Sequence, residues 1–186
     1  MVAATPRAGG ARWAGAVRMD LAALVLGNAP GLGIFVGRPA EAGNGPLIEG
    51  FFPVVARGPA PDGTLFSDAA WTTAEATTAE FFPRLEIVGW YVARRGNPAV
   101  LTEAERRTHE RWFPDGAQTG LVVDVATGAA AEHGRRGGRI RVLAAGALAP
   151  PRRRAALPAP APWRGVVACS LAGTLLGVLS WWAGTL

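Results

Sequence analysis

Apolar and polar positions change period several times along the chain, and the clearest change lies between Leu85 and Val125. Leu85–Val92 alternates and is rich in β-branched and aromatic residues (Ile87, Val88, Trp90, Tyr91, Val92), which predicts a strand. Arg94, Asn97 and Pro98 break it. Thr102 is followed three residues later by Glu105, the spacing of a capping box, in which each side chain satisfies a free backbone N–H at a helix start. Phe113-Pro114-Asp115-Gly116 ends that helix, and Gly120–Val125 is a short apolar run of strand type. The unit is strand, loop, helix, strand.

The flanking patterns extend it to a domain over 12–148, after a loose small-residue tail at 1–11. Asp20–Gly27 (DLAALVLG) reads as a buried strand, and Leu32–Val36, after the Asn28–Gly31 turn, as the returning strand of a hairpin. Leu47–Ala56 reads as a strand with Pro53 at a bulge or edge. Asp68 is placed to cap a helix over Ala69–Phe81, with Trp71, Ala74 and Thr78 along one side. Ala126–Gly138 reads as a Gly/Ala loop with Arg135-Arg136 at a solvated hairpin tip, and Arg139–Ala144 as a last strand. A cleaved signal is the weaker reading of Arg12–Leu26, with Arg7, Arg12 and Arg18 ahead of Leu21–Leu26. Asp20 abuts the apolar run, the run is short, and no Ala-x-Ala site follows.

The pattern changes again at Ala149. Residues 149–164 form a Pro/Ala/Arg linker, semi-extended rather than packed. Gly165–Leu186 contains no charged residue and matches the roughly 20 residues a membrane-spanning helix needs. Trp163 stands at one end and Trp181-Trp182 near the other, as interfacial aromatics do. Arg152, Arg153, Arg154 and Arg164 precede the span. The positive-inside rule then expects a single-pass membrane protein with its N-terminal domain in the cytoplasm. A buried C-terminal helix is the competing reading.

Composition narrows the chemistry. All 19 basic residues are arginine, against 14 acidic ones, so the net charge is +5. Without lysine the chain has no Schiff-base nucleophile of that type and no isopeptide acceptor. A single cysteine, Cys169, excludes a disulfide framework within the chain. The serines are Ser67, Ser170 and Ser180, two of them in the apolar tail, and no phosphate-binding loop or dinucleotide fingerprint occurs. The basic clusters lack interleaved aromatics and match no nucleic-acid motif, so no nucleic-acid partner is expected. His109 stands one turn after Glu105 on the expected helix. That spacing fits a fragment of a metal site or, by default, an exposed helical histidine. His133 sits in a Gly/Arg stretch and reads as solvated.

The central unit resembles the JAMM (MPN) domain family. Gly89-Trp90-Tyr91, Leu101-Thr102 and Gly120-Leu121-Val122-Val123-Asp124 match its motifs, and Asp20–Gly27 is similar to the family's segment that opens with the catalytic Glu. The resemblance implies an α/β fold with a curved, mixed, mostly antiparallel sheet flanked by helices. It places Val92 and Arg94 at the two metal-binding histidines, Arg95 at the proline after them, Thr102 at the motif serine, Glu105 at the metal-binding aspartate and Asp20 at the catalytic glutamate. A catalytic zinc needs three protein ligands and an open position. Val92 cannot ligate, and Arg94 brings a fixed positive charge. The resemblance therefore implies the non-catalytic, metal-free branch, with no cofactor and no catalytic residue.

The expectation that follows is a membrane-tethered scaffold or protein-binding subunit. It would pair with a protein partner, with another copy or paralogue implied by the resemblance. Asp20 and Glu105 are expected to converge on Arg94, whose guanidinium replaces the metal charge. Two other classes stay open. One is a divergent metal-dependent isopeptidase or hydrolase using Asp20, Glu105 and His109. The other is an anion or small-ligand sensor using Arg94 and Arg95.

Overall fold

The computed structural model describes residues 10–27, 31–40, 44–55 and 60–148. Among these residues the order of elements is β1 (Arg12–Trp13), α1 (Val17–Leu26), β2 (Leu32–Arg38), β3 (Leu47–Pro53), α2 (Asp68–Phe81), β4 (Glu86–Arg94), α3 (Glu103–Trp112), β5 (Thr119–Asp124), β6 (Ala129–Arg136) and β7 (Arg139–Ala147). The strands form one seven-stranded mixed sheet in the order β1-β3-β2-β4-β5-β6-β7. β1–β3 and β4–β5 are parallel and the other four pairings antiparallel. The expected α/β class and mostly antiparallel sheet are both present. The tail and linker beyond Leu148, with Trp163, Arg164, Trp181 and Trp182, lie outside the described residues. No helix among the described residues is long and apolar enough to cross a membrane.

Alternation along the central strands gives the sheet two apolar faces. On one, Leu21, Ala22 and Val25 of α1 pack against Phe35, Ile48, Tyr91, Leu121 and Val123. On the other, Ile34, Trp90, Val92 and Val122 pack against Ala74 of α2 and Phe113 at the end of α3. β4 and β5 lie in the middle, covered on both sides. That is why Thr119–Asp124 is buried throughout, its apolar stretch 120–123 and its polar ends alike.

Several expectations are corrected. Residues 17–26 are a helix, not a strand. Leu, Met and Ala favour helix, Leu21, Ala22 and Val25 share one face, and Gly27 N–H closes the last turn on Ala23 O. β2 therefore forms its hairpin with β3, not with the segment before it. The cap of α2 is Ser67, whose hydroxyl accepts from Ala70 N–H, one residue before the expected Asp68. Ala126–Gly138 is not a loop: most of it is β6. Gly137 and Gly138, at φ +58° and +76°, make the two-residue turn into β7.

The sheet curls about the cluster under α1, and the curl is tied. Glu132 on β6 is 6% exposed. Its carboxylate accepts from Ala11 N–H at 3.0 Å and from Trp13 Nε1–H at 3.3 Å, so the short strand at one end of the sheet is held by a strand next to the other end.

Candidate functional site

β4 and β5 run parallel, and their register places Arg94 beside Asp124 at the strand ends. The chain leaves β4 through residues 95–101 and enters α3 at Thr102. The capping box is formed: Thr102 Oγ1 accepts from Glu105 N–H at 3.3 Å, and Glu105 Oε2 accepts from Thr102 N–H at 2.8 Å. The same carboxylate receives Arg94 through a two-pronged contact, Nε to Oε1 at 2.5 Å and Nη2 to Oε2 at 3.0 Å. Nη2 also donates to Val100 O at 2.8 Å, pinning the intervening loop. Glu105 is 1% exposed. A buried carboxylate is tolerable only with its charge and lone pairs answered, and Arg94 with Thr102 N–H answers them. The Glu105 hydrogen bond in turn holds the Arg94 guanidinium above its ordinary range, with the charges of Glu105 and Asp124 adding to it.

Asp124 shapes the loop from the other side. It accepts from Gly96 N–H at 3.3 Å, Ala126 N–H at 3.1 Å and the Thr127 hydroxyl at 2.5 Å. These bonds, the Thr127 hydroxyl first, hold its carboxyl below the usual range.

Both histidines depart from their expected surroundings. His109 is not exposed; it is fully buried on α3. Trp90 Nε1–H donates to its Nδ1 at 3.2 Å, and no partner meets its Nε2 among the described residues. Burial pushes this imidazole down to about 4, with His133 and Arg135 adding to the effect. Gly120 makes room for the Trp90 ring that reaches it: a Cβ there would sit 2.6 Å from the indole. His133 is not solvated either. It is 2% exposed on β6, and its Nε2–H donates to Pro98 O at 2.8 Å. Burial lowers its pKa as well. The signal that could have found His109 is its position four residues after Glu105, on the face that Thr108 and Glu105 also bury.

The expected cluster is thus assembled in part. Arg94, Thr102 and Glu105 meet. Val92 is packed in the core among Trp90 and Val122. Arg95 is exposed. Asp20 does not converge on the site; it is exposed on α1, across the sheet. These residues do not fit a zinc ion. Glu105 is committed to a guanidinium, Val92 has no donor atom, and His109 is held by Trp90. No group of three potential ligand side chains gathers among the described residues.

A cavity of about 300 Å3 opens beside the site, between residues 99–101 and the β6–β7 hairpin. Val100, His133, Ile140 and Val142 line it, with Arg106 and Arg141.

No protein-family model and no curated protein matches the chain. Among solved structures it is similar to protein DSY2949 from Desulfitobacterium hafniense, at 12% identity and a TM-score of 0.50, over 71% of this chain and 88% of that one. It is also similar to a protein from Salinibacter ruber, at 18% identity and a TM-score of 0.38, over 76% and 89%. The first likeness is one of fold alone.

Proposed function

We propose that this chain is a membrane-tethered, metal-free domain of JAMM/MPN type that binds a protein partner as a subunit of a membrane-associated assembly. The observation that carries the reading is the Arg94–Glu105 contact. At the positions the resemblance gives to a metal histidine and the metal aspartate, a fixed cation is locked to a buried carboxylate. The contact joins a strand end to a helix start and serves as a structural tie. Its oxygens and N–H groups are occupied, so it has little left to offer a substrate. The reading rests on the Gly89–Asp124 block, because the upstream segment from Asp20 is helical. Tethering is supported by the uncharged Gly165–Leu186 run and the arginines before it.

The hydrolase reading asks for Asp20, Glu105 and His109 together, and Asp20 lies across the sheet from the other two. A sensor built on Arg94 is disfavoured because its Nε and Nη2 are engaged with Glu105 and Val100 and its Nη1 with Arg95 O.

The test uses the full chain. It is expected to sediment with membranes and resist alkaline carbonate, and Leu176→Arg is expected to release it. After mild detergent extraction it is expected to run as an assembly larger than one chain, without stoichiometric zinc. A monomer in that extract would sink the scaffold role. Zinc retained through purification and lost on His109→Ala or Glu105→Ala would sink the metal-free reading.

A further inference from the structure

We infer that the open edge of β7 and the cavity beside it form a docking site for an extended, acidic segment of a partner protein, added as a further strand. The inference rests on the protein-binding reading above and names where and what the domain binds.

The first observation is the edge itself. β7 is nine residues long, ends the sheet, and pairs only with β6 among the described residues. Its outward N–H and C=O groups, apart from Ala147 O, which accepts from Arg18 Nη2, therefore form a template for another strand. The sheet's other end, β1, is two residues long. The second observation is the wall beside β7. Pairing of Ile140 with Arg135 and of Val142 with His133 puts Ile140 and Val142 on one face, where they border the cavity with Val100. Val100 is 61% and Val142 43% exposed, so an apolar strip lies open along the edge. The third is charge. Arg139 and Arg141 make no hydrogen bond or ion pair among the described residues, and no carboxylate lines the cavity. An added strand sends alternate side chains to opposite faces. Apolar residues of the partner would then meet Val100, Ile140 and Val142, and the residues between them would meet the arginines.

Charge also selects the occupant. Neither residues 1–9 nor residues 149–186 contain a single Asp or Glu, so neither of these segments supplies the acid. The β7 edge of a second copy would bring two more arginines. The complementary partner is a different protein with an acidic, extended segment.

The experiment uses the full chain in detergent and two fluorescent peptides of about eight residues, the length of a natural strand, one alternating Val and Glu and the other Val and Lys. Binding is followed by anisotropy. The Glu peptide is expected to bind saturably, to weaken as salt rises, and to weaken about tenfold on Arg141→Glu, whose exposed position leaves the fold intact, as circular dichroism would check. N-methylation along one edge of the peptide is expected to abolish binding, and along the other to leave it unchanged. Equal binding of the Val/Lys peptide, or indifference to methylation on both edges, would overturn the inference. So would no binding at all, or a homodimer that the peptide must dissociate. Membrane attachment and zinc content are read separately and would stand or fall on their own.

Discussion

Arg94 and Glu105 show how unequal the two halves of a buried ion pair are. Arg94→Ala leaves a carboxylate that is 1% exposed without its cation, and a loss of about 3 kcal/mol is expected in chemical denaturation. Arg94→Met combined with Glu105→Gln is expected to recover most of that loss, since Gln keeps the cap and no charge is stranded. A double substitution as damaging as the single one would show that the guanidinium matters for more than neutralisation. His109 gives a pH dependence whose sign is fixed. Its folded pKa of about 4 lies below the ordinary 6.5, so the unfolded chain takes up the proton first. Stability is full above pH 6.5 and is lost as pH falls toward 4, by up to about 3 kcal/mol. Urea midpoints across that window are expected to flatten in His109→Gln; an unchanged slope would place the proton elsewhere. The strand end and the capping box were legible as local signals, while the meeting of Arg94 with Glu105 was expected only from the family resemblance, which brought Asp20 to the same place as well. The burial of His109 was not legible, because it depends on Trp90, which reaches it from β4, and on Gly120 of β5, which leaves room for that indole.

At the level of elements, local chemistry decided what could be read. α3 announces itself through Thr102 and Glu105, and Thr102→Ala is expected to cost about 1 kcal/mol, read as a lower thermal midpoint. The β6–β7 turn needs positive φ at Gly137 and Gly138. Gly137→Asn, which accepts that conformation, is expected to be nearly neutral, while Gly137→Val is expected to destabilise the hairpin by about 1 kcal/mol or more in the same measurement. α1 misreads as a strand because a short apolar run such as Leu21–Leu26 has no period to separate the two. β6 misreads as a loop because Ala, Gly and Arg have little preference for strands. Ala129–Arg136 is a strand because β5 and β7 pair with it on both sides.

For the whole molecule, the alternation of apolar positions makes a two-faced sheet readable, but neither its strand order nor its closure. Closure falls to Glu132, which joins Ala11 and Trp13 across 121 and 119 positions of sequence. Glu132→Ala is expected to speed amide exchange at residues 11–13 and to open the chain to proteolysis there, while β4 and β5 stay protected. Uniform exchange across the sheet would mean that the tie holds more than its edge. The same tie imposes an order in time. The N-terminal strand is made early and waits for its anchor until nearly all of the domain has left the ribosome. Contacts between the chain's distant parts are the slow ones to form. During that wait Trp13 and the apolar side of α1 lack their final cover, so the newborn chain is most exposed to misassociation just before β6 arrives.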